Sequence, residues 1–254
     1  MNIESLVLAY GLVIAAFLIS YFNDLKLEWD LVYSSARGTV QLILMGFILQ
    51  AVLEIDRMDY LLSILVFMCG VAGFVSGKRG EKIPHAAWVA FAGIAVGSFS
   101  TFFLLYFAGV IQQDAQYVIP LGGMIIGNAM RASSLTLNRL TGELENQRPR
   151  VENLLALGAN ARQASTIPVR QAVRAAMIPT IDTLKTVGLV HLPGMMTGFM
   201  VAGGSPVLAV KYQLVIMYMI SGATAITCLI VTLLAYRQCF TPHLQLTPSF
   251  RPEQ

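Results

Sequence analysis

Charge is what this sequence has least of. Only 12% of its 254 residues are Asp, Glu, Lys or Arg, against about 25% in an ordinary soluble domain. A chain of this size has too few ions to cover a water-facing surface, so a soluble globule is excluded. Cysteine is also scarce: Cys69, Cys228 and Cys239 lie far apart with no CxxC, which offers neither a disulfide framework nor a zinc knuckle. There is no HExxH, no GxSxG and no pair of Asp residues within an apolar run, so protease chemistry inside a membrane has no residues to work with. A phosphate-binding GxxxxGK[ST] loop is missing too: Gly77-Lys78 is followed by Arg79, and no Gly stands five residues before Gly77. ATP is therefore not expected to bind to this chain. The basic residues are spread out with little aromatic interleaving, which argues against nucleic acid as a partner.

What is there is apolar. Hydrophobic residues make up 56% of the chain and the mean hydropathy is +0.67. A bilayer core of about 30 Å takes about 20 apolar residues in a helix. Stretches nearly free of Asp, Glu, Lys and Arg predict seven spans, over residues 5–22, 38–53, 60–77, 86–110, 115–137, 186–203 and 212–236. They are too few and too long for a barrel, and backbone groups in lipid must be satisfied within each segment. The expected fold is all-α, a polytopic membrane protein of about seven transmembrane helices that forms one permease domain over 1–254. The first span lacks a basic leader and a small-residue cleavage site, so it is expected to remain a span.

Seven crossings put the termini on opposite sides. With the N-terminus outside, 15 of the 17 Lys and Arg residues fall on the inner side, leaving Arg57 and Lys211 outside. The positive-inside rule then places the C-terminus in the cytoplasm. GxxxG spacing recurs at Gly73/Gly77, Gly93/Gly97, Gly123/Gly127 and Gly194/Gly198, which lets helices approach closely.

Two segments outside the spans carry more information. Leu25, Trp29, Val32, Tyr33 and Ala36 form an apolar stripe, so residues 24–37 are expected to lie as a helix in the cytoplasmic membrane surface. Residues 138–185 form the largest loop, and from Arg131 to Lys185 there are eight bases against four acids. A helix over 151–157 should end at Gly158, the residue suited to a left-handed turn. A second should start near Pro168 and stop at Pro179. Arg162, Arg170 and Arg174 would give it a basic face. Such a hairpin suits either a groove on another protein or anionic lipid.

Glu152, followed by a helix and Leu157-Gly158-Ala159, resembles the coupling loop of ABC transporter membrane subunits, which inserts into a cleft on the cytoplasmic ATPase. The resemblance widens over the second half of the chain. It is carried by Ile119-Pro120, Gly123-Met124-Ile125, Gly127-Asn128-Ala129-Met130, Gln163-Ala164-Ser165, Arg174 to Thr180, Lys185 to Val190 and Leu192 to Gly198. On these residues the chain is similar to the FetB (YbbM) permease family, which includes plant aluminium-tolerance permeases. The resemblance implies a subunit of the bacterial inner membrane, paired with a separate ATPase that binds ATP and Mg. It implies iron export that eases peroxide stress, and because a dimer of the ATPase would need two docking hairpins, a permease homodimer is expected.

For the path of the metal ion, the sequence offers Asn128 in the fifth span and Pro193-Gly194 as a break in the sixth. Met195, Met196 and Met200 lie beside that break. His191 with Met195 and Met196 is the candidate for a weak metal contact, because imidazole and thioether suit transition metals. The plainer role for these methionines is packing. Two other readings stay open on residues alone: a transporter or channel acting without a motor, and a membrane scaffold whose basic loop recruits a partner.

Overall fold

The structure is a computed structural model that describes residues 3–53, 57–111, 114–241, 243, 245–247 and 250. These residues fall into two units, one made by the first two helices and one by everything from Arg57 onward. Among the described residues the only β pairing is two isolated bridges.

In the first unit, α1 (Ile3–Phe22) turns into α2 (Glu28–Val52). The turn is held by Ser20, whose hydroxyl donates to Glu28 Oε1 at 2.7 Å and accepts from the Leu27 amide at 3.2 Å. Tyr10 and Thr39 pair their hydroxyls across the two helices. The surface helix expected over 24–37 is not a separate element. Residues 28–37 open an unbroken 25-residue helix, and only 24–27 form the turn, with Asp24 and Lys26 at positive φ. The apolar stripe was real but continues into the following run, so no breaker separates the two.

The second unit contains α3 (Met58–Gly77), a 3₁₀ turn (Lys78–Gly80), α4 (Ala86–Phe107), α5 (Ala115–Asn146), α6 (Arg148–Ala156), α7 (Ala161–Ala164), α8 (Thr166–Thr186), α9 (Gly194–Val201) and α10 (Pro206–Gln238). Glycine sets the register. A Cβ on Gly73 or Gly77 would run into the backbone of Phe91 or Ala87 of α4. One on Gly93 or Gly97 would run into Val231 or Thr227 of α10. α4 is therefore antiparallel to both α3 and α10. Gly122 faces Leu65, Ser76 donates to Ser133 at 2.7 Å and Gly80 faces Leu137, so α3 and α5 run parallel. This register gathers Lys78, Arg79, Arg139 and Arg237 at one end of the bundle.

Among the described residues, four helices are long and apolar enough to cross a membrane: Glu28–Gln50, Met58–Gly80, Ala86–Phe107 and Pro206–Gln238. α5 is longer than any expected span, because it continues past Arg131 to Asn146. The sixth expected span, 186–203, is corrected. Val187 leaves the helix, Gly188 sits at φ +80°, and its amide donates to the His191 carbonyl at 3.0 Å. Helix resumes only at Gly194, and the eight residues of α9 reach about 12 Å at 1.5 Å each.

The stretch 138–185 is likewise not a single loop. Its first part is the end of α5, and α8 runs straight through Pro179 to Thr186, packing along α5 and α10. Proline inside a helix removes one amide donor, and neighbouring helices make this tolerable in a buried bundle. Ala176 of α8 meets Ala132 of α5 and Cys228 of α10 in one small core.

Candidate functional site

α5, α8, the segment between α8 and α9, and α10 enclose a cavity of about 520 Å³. That lies within the range of about 300–1,000 Å³ typical of small-molecule sites. α5 contributes Met124, Asn128, Arg131 and Leu135; α8 contributes Pro179, Thr180 and Thr183; α10 contributes Gln213, Met217 and Ser221. The break between α8 and α9 supplies His191, Pro193, Gly194 and Met195. The cavity exists because α8 stops short and α9 restarts on the other side of Gly188 and Pro193. A continuous helix would have filled the space with side chains.

Of the expected path residues, the structure thus brings Asn128, His191, Pro193, Gly194 and Met195 together. Met196 and Met200 do not line the cavity and stand half-buried elsewhere on α9. Asn128 donates its amide nitrogen to the Met124 carbonyl at 2.8 Å, which leaves its side-chain oxygen for the cavity. Among the described residues there is no group of three or more His, Cys, Asp or Glu able to hold a metal ion. His191 is the one imidazole lining the space, with the thioethers of Met124, Met195 and Met217 around it.

Sequence reasoning missed Arg131, Thr180, Thr183 and Gln213. Arg131 falls inside the expected span 115–137 and entered the sequence reading only as one of the basic residues. By the Ser76–Ser133 register it sits about one turn deeper than Lys78, and it makes no ion pair among the described residues. Gln213 is only 8% exposed, and its side-chain oxygen is buried without a hydrogen-bond partner among the described residues. Its signal was available: it is the one amide side chain in the apolar run 212–236. Buried polar groups are nearly always hydrogen-bonded, so an unpartnered one on a residue that lines a cavity is informative.

The expected coupling residues lie at the basic end. α6 ends at Leu157, Gly158 takes φ +90°, and α7 opens with a reciprocal cap between Asn160 and Gln163. Leu157 is 85% exposed at the tip of this turn, with Gly158 beside it and Ala159 half-buried. Glu152 accepts from Arg148 Nε at 2.7 Å along the outer face of α6. Arg162, Arg170 and Arg174 are all exposed.

Comparison with known proteins finds relatives over nearly the whole chain. Residues 3–240 match a family described as "Uncharacterised protein family (UPF0014)". The chain is 40% identical over 243 residues to "Probable iron export permease protein FetB" of Escherichia coli, covering 96% of this chain and 94% of that one. It is 37% identical over 238 residues to "Protein ALUMINUM SENSITIVE 3" of Arabidopsis thaliana, covering 94% and 87%. It is 36% identical over 246 residues to "UPF0014 membrane protein YjkA" of Bacillus subtilis, covering 97% and 98%. No solved structure matches the chain. The protein belongs to the UPF0014 family and is a multi-pass membrane permease of it.

Proposed function

We propose that this permease is the membrane subunit of an exporter for iron or a similar metal, driven by a separate cytoplasmic ATPase that binds ATP and Mg. One observation carries the reading: a short, capped hairpin at the basic end of the bundle presents an exposed leucine on a glycine turn. Leu157 at 85% exposure is an apolar group held out by a rigid frame. Glu152 on α6 and Arg162 on α7 flank it in sequence, and Arg170 and Arg174 are exposed along α8, a charged setting for an apolar anchor. The export of iron is carried over from the Escherichia coli relative's name.

The same reading places the basic end in the cytoplasm of an inner-membrane protein and the N-terminus outside, because Lys78, Arg79, Arg139 and Arg237 share that end. Two ATPase subunits need two hairpins, which favours a permease homodimer. Export would ease oxidative stress by lowering free iron. The path runs through the cavity, past Asn128, His191 and the Pro193-Gly194 break. Such breaks expose backbone polar groups to a substrate in many transporters.

Co-purification from the native membrane tests the reading. An ATPase should accompany the wild type, and its activity should be stimulated by the permease. Gly158→Pro cannot adopt φ +90°, and Glu152→Lys reverses the charge on α6. Both should abolish stimulation while leaving membrane insertion intact. If neither variant changes ATPase activity, the hairpin is not the coupling element. Transport through liposomes by this chain alone, without ATP, would overturn the whole proposal.

A further inference from the structure

The cavity has one charged side chain whose ionisation does not depend on pH, and that charge is positive. Arg131 lines it, the guanidinium is always protonated, and no Asp or Glu is among the lining residues. Asp182, next to the lining Thr183 in sequence, is exposed and does not line the cavity. A second positive element adds to the first. α9 begins at the cavity, with Gly194 and Met195 lining it, and its N-cap Pro193 provides no side-chain cap. The first-turn amides of a helix carry a partial positive charge and favour anions.

A bare Fe²⁺ or Fe³⁺ fits this lining poorly. It would meet Arg131 without a compensating carboxylate, and the other possible ligands, the His191 imidazole, the thioethers of Met124, Met195 and Met217 and the neutral amide and hydroxyl oxygens, carry no negative charge. Iron prefers a fuller shell that includes oxygen. The third observation says what else the ligand carries. Gln213 lines the cavity, and its Oε1 is a buried acceptor with no partner among the described residues, so an occupant that reaches it has to offer an O–H or N–H donor.

We propose that the cavity takes iron as an anionic oxygen-ligand chelate, a hydroxycarboxylate or phosphate complex with coordinated water or hydroxyl, and not as the naked ion. Arg131 and the start of α9 hold the chelate's carboxylate or phosphate oxygens. Gln213 Oε1 accepts from a hydroxyl or a metal-bound water. Thr180 and Thr183 complete the polar wall. The inference rests on the export reading and deepens it by naming the form of the cargo.

Binding to the purified full-length chain in lipid nanodiscs tests it, using iron(III) citrate, iron(III) pyrophosphate, Fe(II) under ascorbate and citrate alone. At least one chelate should bind, and the stronger of the two identifies the ligand class. Fe(II) and metal-free citrate should bind at least about tenfold more weakly. Arg131→Gln should weaken chelate binding by about tenfold or more, and Arg131→Lys should recover most of it. Should Arg131→Gln fail to fold, Gln213→Met keeps the volume, removes the acceptor and should also weaken the chelate. Fe(II) binding as tightly as either chelate, with Arg131→Gln harmless, overturns the inference. So does citrate alone binding as well as its iron complex. In vesicles carrying the permease with its ATPase, undiminished iron efflux by Arg131→Gln sinks the chelate but keeps export. Absence of efflux by the wild type sinks export itself.

Discussion

α10 has two sides that meet their neighbours in opposite ways. On the side of α4 its backbone is approached so closely that Gly93 and Gly97 have no room for a methyl group. A Cβ on Gly97 would lie 2.1 Å from Thr227 Oγ1 and 2.8 Å from the Ala223 carbonyl. On the side of α5 and α8 the same helix faces a cavity of about 520 Å³ across Gln213, Met217 and Ser221. The glycine motifs divide the same way. Gly73/Gly77 and Gly93/Gly97 are seams, whereas Gly127, Gly194 and Gly198 have nothing within 4 Å of a built Cβ. Identical spacing therefore serves close packing in one half of the bundle and open space in the other. The tight half gives the open half a fixed wall to work against.

Methyl insertion breaks this comparison most directly. Gly77→Ala places a Cβ 2.4 Å from the Ala87 Cα, and backbone cannot move aside as a flexible side chain can. Overpacking of this kind costs about 1–3 kcal/mol, and Gly77→Ala and Gly97→Ala should reach the top of that range. Gly127→Ala and Gly198→Ala should cost nothing, or gain up to about 1 kcal/mol of helix propensity. Thermal unfolding in detergent, followed by gel filtration, reads both pairs. Equal losses at all four positions would show that the open half is as tightly packed as the seam.

The next effect is smaller. Ser76 and Ser133 join α3 to α5 through a buried bond of 2.7 Å. Ser133→Ala leaves the Ser76 hydroxyl without that acceptor and should cost about 1 kcal/mol. Below that stands the Lys82–Glu145 pair at the basic end, with both side chains partly exposed. Lys82→Gln should cost at most about 1 kcal/mol, and the difference should shrink in high salt. A salt-independent loss would mean that Lys82 acts through packing of its stem.

The helices of the seam were legible in the sequence, because α3, α4 and most of α10 are uninterrupted apolar runs. The hairpin was legible at Gly158, where composition and conformation agree. The cavity was legible only in part. His191, Pro193 and Gly194 announced a break, but the break was placed inside a span that does not exist as one helix. Pro179 was read as a stop, since proline disfavours helix in water, yet the packing of α8 against α5 and α10 carries the helix through it. Arg131 and Gln213 were passed over for a physical reason. Their function depends on what faces them from other helices, and the sequence of one helix does not contain that. An element boundary failed similarly: residues 28–37 of the apolar stripe and the run after them look different in composition but form one continuous helix.

The smallest effect expected is no effect, and it separates the two halves without altering either. Cys69, Cys228 and Cys239 are all buried. Just past the end of α10, burial pushes the Cys239 thiol up to about 12. A raised thiol pKa means the protonated form persists until the pH approaches that value, so almost no thiolate is present at pH 8. Thr183 lines the cavity and is exposed. A water-soluble maleimide should therefore modify Thr183→Cys readily at pH 8 and leave the native cysteines untouched. Bound iron(III) chelate should slow that modification. Modification of Cys69 on α3 as fast as Thr183→Cys would mean that water reaches the glycine-packed side, and the contrast between a sealed side and an open side would be lost.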